Sequence, residues 1–125
     1  MPVNVGVQAV VELVVGAEDT ARAMRAGDVA VLGTPRVVAL CEEATMRALG
    51  DHLDKGRTSV GSRVELSHVA PVAVGTTVRA TATLERTEGR RLVFNVSVSD
   101  ACGVVAAGRV TRVVVDKAQF IDKAR

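Results

Sequence analysis

The chain is expected to be α+β, an antiparallel β-sheet wrapped around a central α-helix. Three observations point there. Residues 59–115 read as four valine-rich strands separated by turn residues, and a single long apolar helical pattern, residues 35–49, precedes them. Phe94 and Phe120 are the only aromatic residues. The core must therefore be built mainly from Val and Ala, and valine at this density favours pleated strands. An antiparallel sheet needs one face covered, and the helix at 35–49 is the element able to cover it.

Taken in order, Val5, Val7, Ala9, Val11, Leu13 and Val15 alternate with Gly6, Gln8 and Glu12, the period of a half-buried first strand. AEDTARAMRAG at 17–27 places acidic residues early, basic ones late and a glycine at the end, so a short helix is expected. Residues 28–33 connect it to the long helix. There Thr34 serves as N-cap, Pro35 takes the first helical position, where its missing N–H costs nothing, and Gly50 stops the helix. After the loop DHLDKGRT, strands are expected at 59–70, 76–86, 90–99 and 104–115. The gaps from Pro71 to Gly75, at Glu88-Gly89 and from Asp100 to Gly103 are short enough for hairpins, so a meander follows.

The length of 125 residues suits one domain, 1–125. A net charge of +2 with both signs interspersed, and the lack of aromatic stacking platforms, argue against nucleic acid as a partner. The apolar N-terminal stretch has no basic flank and is interrupted by Gln8 and Glu12, so it fits neither a signal peptide nor a membrane span; a cytoplasmic location is expected. Cys41 and Cys102 lack CxxC spacing and are expected to be reduced and buried or nearly so. No metal-ligand cluster, phosphate-binding glycine loop or GxSxG elbow occurs, so neither metal nor cofactor is expected.

Chemistry concentrates in GTPRVVALCEEAT (33–45). At about 100° per residue, Val37, Cys41, Ala44 and Ala48 centre an apolar arc. Glu42 borders that arc beside Val38 and Leu49. Glu43 projects further round towards Arg36 and stands four residues before Arg47, the favourable order for an ion pair. A carboxylate that loses part of its hydration at the margin of an apolar face can serve as base or nucleophile; one that reaches past the margin into water does not. In RVELSHVA, His68 shares a strand face with Val64, Leu66 and Ala70 and should point inward, either as a hydrogen-bonded structural residue or as a catalyst; His52 reads as surface. Thr34 is explained as a cap, yet a helix start also presents N–H groups suited to a polarised carbonyl.

Three stretches carry a resemblance: Thr34 with Glu42 eight positions on and Ala44 beyond, SVGSRVELSHVAP with Gly61 and His68, and EGRRLVFNVSVSD at 88–100. Together with the element order, they resemble the hotdog fold and, within it, the fluoroacetyl-CoA thioesterase-like family. The resemblance implies an acyl-CoA thioesterase with Thr34, Glu42 and His68 as catalytic set. It also implies that backbone contact from Gly61 reaches the thioester, and that the enzyme is a homodimer, or a tetramer of two such dimers, with the site at the interface. Arg90 and Arg91, with Arg57 and Arg63, are the side chains expected to meet CoA phosphates. Pro35 stands where that family has Gly, Arg36 where an apolar residue is typical, and no aromatic residue precedes Phe94 to form a lid, so selectivity for fluoroacetate is not expected. The alternative is a non-catalytic hotdog module that binds an acyl-CoA or another small ligand.

Overall fold

A computed structural model describes residues 3–125. Strand β1 (Gln8–Val14) leads through a 3-10 turn at Ala17–Asp19 to the long helix α1 (Thr34–Leu49). Strands β2 (Arg57–His68), β3 (Thr77–Glu88), β4 (Arg91–Asp100) and β5 (Gly103–Asp116) follow, and then a short helix α2 (Lys117–Asp122). All neighbouring strands are antiparallel, in the order β1-β3-β4-β5-β2.

The helix forms where the pattern predicts. Val37, Leu40, Cys41, Ala44, Thr45, Ala48 and Leu49 are buried, and this spacing of three and four lines them along one stripe. Alternate residues of the sheet meet that stripe: Val78, Ala80, Ala82 and Leu84 on β3, and Leu92, Phe94, Val96 and Val98 on β4. Phe94 is the largest fully buried side chain, and truncating such a residue to Ala costs about 3–5 kcal/mol. Gly50 ends α1 at φ 47°, a conformation that a Cβ would strain.

Three local expectations are corrected, and one element is added. Residues 17–27 are not a helix beyond the Ala17–Asp19 turn, because the backbone of 19–22 is committed elsewhere. Ala21 N–H donates to Val31 O, Arg22 N–H to Val29 O and Gly33 N–H to Asp19 O, so the segment folds back on 29–33 as a narrow ribbon. The second-half strands are not one continuous meander: β3, β4 and β5 are, but β2 pairs with β5 at the far edge. The connector after His68 cannot close a hairpin onto β3 because its polar groups go to the N-terminal half. Leu32 N–H donates to Val72 O and Gly75 N–H to Val15 O. The helix α2 was unforeseen, although Asp116 and Gln119 hold a capping pattern in which Asp116 Oδ1 accepts from Gln119 N–H at 3.0 Å. Finally, Cys41 is buried as expected, whereas Cys102 is exposed in the β4–β5 turn, where Asp100 Oδ1 accepts from its N–H at 2.9 Å.

Candidate active site

The residue that caps α1 is Gly33, not Thr34. Its extended backbone (φ −80°, ψ 143°) enters the helix with no side-chain cap, and Thr34 and Pro35 are the first two helical residues. Gly33 suits a close approach, since a Cβ there would sit 3.0 Å from the Ala21 backbone nitrogen. The Thr34 hydroxyl is thereby released from capping. It lies 2.8 Å from Nδ1 of His68, the last residue of β2. His68 points to the helix side with Val64 and Leu66, all three half-buried and separated by exposed neighbours. Its Nε2 is buried and has no hydrogen-bond partner. If Nδ1 accepts the Thr34 hydroxyl proton, Nε2 carries the ring proton, and a buried donor left unpaired costs about 1–3 kcal/mol.

Glu42 and Glu43 differ in partner rather than in depth. Their side chains are 38% and 42% exposed. Glu43 pairs with Arg47 at 3.1 Å, as its spacing predicts. Arg36, expected beside Glu43, instead binds buried Asp19 at 3.0 Å and ties the Ala17–Asp19 turn to the start of α1. Glu42 turns towards β2. A Cβ built on Gly61 would collide with Glu42 Oε1, so the carboxylate occupies the space that glycine leaves open. Ser62, next to Gly61, is the extra residue of a bulge in the β2–β5 ladder. On β5, Arg112 stands opposite Gly61, and its Nη1 lies 3.7 Å from Glu42 Oε1.

The sequence reading missed Arg112 and Ser59. Both are buried, and Arg112 Nε donates to Ser59 Oγ at 2.8 Å while Nη2 donates to Ser59 O at 2.9 Å. The available signal was parity: Val110, Arg112 and Val114 share one face of β5, so a cation sits among inward valines.

Thr34 with His68, and Glu42 with Gly61, form two separate groups within one chain. Eight helical residues set Thr34 and Glu42 about 12 Å apart along α1. Seven strand positions, less one for the bulge, set Gly61 and His68 about 20 Å apart along β2. Beside Thr34 and His68 opens a cleft of about 370 Å³ walled by small aliphatic residues, among them Ala21, Ala26, Val29 and Val31. Arg90 and Arg91 line different clefts. Arg90 shares one of about 370 Å³ with Arg57, Leu53 and Leu92; Arg91 shares one of about 500 Å³ with Arg63, Arg86 and Arg109. Among the described residues, no His, Cys, Asp and Glu group could hold a metal ion, and no helix is long and apolar enough to cross a membrane.

Comparison with known proteins identifies the fold and the family. The profile of the family described as fluoroacetyl-CoA-specific thioesterase (FlK) matches residues 15–118. The fluoroacetyl-CoA thioesterase of Streptantibioticus cattleyicolor is 36% identical over 95 residues, covering 76% of this chain and 68% of that one. Among solved structures, a point variant of the fluoroacetyl-CoA-specific thioesterase FlK superposes with a TM-score of 0.90 at 31% identity, covering 98% of this chain and 96% of that one. A thioesterase-superfamily protein of Thermus thermophilus gives 0.89 at 33% identity, with coverage of 97% and 90%. A hot-dog-like protein of Thermanaerovibrio acidaminovorans gives 0.88 at 28%, with coverage of 95% and 88%. The five-stranded sheet around α1 is thus a hotdog fold, and the chain belongs to the fluoroacetyl-CoA thioesterase family of thioester hydrolases.

Proposed function

We propose that this enzyme hydrolyses a small acyl-CoA thioester, working as a single hotdog domain in a cytoplasmic homodimer whose sites are shared between subunits. The observation that carries the reading is the Thr34–His68 hydrogen bond of 2.8 Å beside a buried Nε2 without a partner. A hydroxyl and an imidazole at this distance can exchange a proton, and an orphaned ring nitrogen is a group that a bound reactant or water would satisfy.

Glu42 and Gly61 supply the complementary group. In the proposed reaction the thioester carbonyl rests on the Gly61 backbone N–H, and Glu42 either attacks the carbonyl carbon or takes the proton of an attacking water. When water attacks, its proton goes to Glu42, the C–O bond forms and the C–S bond of the tetrahedral adduct then breaks. When Glu42 attacks, the C–S bond breaks to leave an acyl-glutamyl anhydride, which a water molecule cleaves to release the acid and restore the carboxylate. Either way the departing thiolate receives a proton through the His68–Thr34 pair, and the proton shed by water replaces it. Carboxylate, imidazole and hydroxyl suffice for such a hydrolysis, so the reading needs no cofactor.

Dimerisation would bring the two groups together. β2 is an edge strand of twelve residues, and an uncovered edge of that length is a template for pairing. Antiparallel pairing of two β2 edges about a two-fold axis near Val64 and Glu65 sets Gly61 of one subunit opposite His68 of the partner subunit. CoA phosphates are assigned to Arg90 with Arg57, which share a cleft, and to Arg91 on the neighbouring surface. The small-residue walls beside His68 suit short acyl groups without selecting fluoroacetyl.

The test is turnover of the purified protein against short and medium acyl-CoAs with free-thiol detection. Release of CoA is expected. Binding of acyl-CoA without release would overturn hydrolysis in favour of a binding module.

A further inference from the structure

We infer that Ser59 and Arg112 form a buried brace that positions Glu42. This rests on the hydrolytic reading above for its catalytic consequence, but its physical content is a coupling between three side chains that can be measured without turnover.

Arg112 is 6% exposed, and a guanidinium taken that far out of water must be compensated. Ser59 accepts from it twice, through Oγ and through its backbone oxygen, at 2.8 and 2.9 Å. These bonds engage Nε and Nη2 and fix the plane of the fork, so Nη1 is directed at Glu42 Oε1, 3.7 Å away. The same Nη1 lies 3.7 Å from where a Gly61 Cβ would stand. Cation, glycine and carboxylate therefore converge on one point beneath the α1–β2 seam. Burial holds the Arg112 pKa below its usual value and Glu42 opposes that fall, so the two charges sense each other.

Other groups near Glu42 do not supply this cation. Glu43 and Arg47 are paired with each other on α1. Cys41, preceding Glu42, is buried with its thiol pushed up to about 11, and is neutral at physiological pH. From β2, Gly61 lies against Glu42 and carries no charge. Among the described residues, the cation paired with Glu42 is Arg112 of β5.

Losing or misdirecting Arg112 removes the contact that holds the Glu42 carboxylate against Gly61. The experiment follows the Glu42 side-chain carboxyl by 13C NMR at neutral pH, in wild type, Ser59→Ala and the volume-matched Arg112→Met. Its resonance is assigned by loss in Glu42→Gln. The resonance should move and broaden in both variants. In Ser59→Ala, kcat should fall about 10- to 100-fold with KM little changed. Because Ser59→Ala is a small truncation, it keeps the test usable should Arg112→Met fail to fold. An unmoved resonance in folded Ser59→Ala overturns the brace and leaves hydrolysis standing. A wild-type protein without turnover overturns hydrolysis, and the NMR resonance still decides the brace.

Discussion

Thr34 Oγ1 and His68 Nδ1 lie 2.8 Å apart, joining the first residue of α1 to the last of β2. The hydroxyl is available for this bond because Gly33 takes the capping position. Losing a threonine N-cap costs typically about 1 kcal/mol, whereas Thr34 here caps nothing. Thr34→Val should therefore change the thermal midpoint little while lowering kcat/KM about 100-fold or more, read by denaturation alongside free-thiol release. A large stability loss with unchanged activity would restore the capping role.

The adjacent glutamates give a second contrast. Glu42→Gln should abolish most turnover, and Glu43→Gln should leave it within a factor of about two, since the Glu43–Arg47 pair is an exposed i, i+4 contact worth about 0.3–0.5 kcal/mol. Equal loss in both variants would contradict the assignment of Glu42 to the site.

Gly61 admits the Glu42 carboxylate by having no side chain. In Gly61→Ala the new methyl collides with Oε1, so Glu42 must turn away. Activity should drop about 10- to 100-fold, with the circular dichroism spectrum preserved. Wild-type kcat in this variant would show that Glu42 need not lie against β2.

The two thiols should separate kinetically. Cys102 is exposed, while Cys41 is buried with its thiol pushed up to about 11. A disulfide reagent at neutral pH should titrate one thiol per chain in the native protein and the second only after unfolding, because the thiolate is the reactive form. Rapid reaction of both would contradict the packing of Cys41.

For the CoA phosphates, Arg90→Ala should raise KM for acyl-CoA several-fold and leave the corresponding pantetheine thioester unaffected. Equal effects on both substrates would remove Arg90 from phosphate binding.

What the sequence revealed and what it hid divide along physical lines. The body of α1 and its end at Gly50, the Glu43–Arg47 pair and the inward turn of His68 depend on periodicity and neighbouring charges, which short windows contain. The misread features depend on partners distant in sequence. The pattern at 17–27 has helical charge order, but its backbone pairs with 29–33. Pairing of β2 with β5 depends on where the connector after His68 is anchored. Arg36 finds Asp19 seventeen residues earlier instead of Glu43 on its own helix. Arg112 meets Ser59 across 53 residues, and only its parity on β5 hinted at it.

The claim that one site is built from two subunits meets its most direct test in mixed dimers. Glu42→Gln and His68→Ala should each inactivate every site in their own homodimers. Co-expressed, they form heterodimers in which one site carries both substitutions and the other carries neither. About one quarter of wild-type CoA release should return, the statistical share of intact sites in an equal mixture. No recovery in purified heterodimer would contradict the shared site and place Glu42 and His68 of the same chain at each reacting carbonyl.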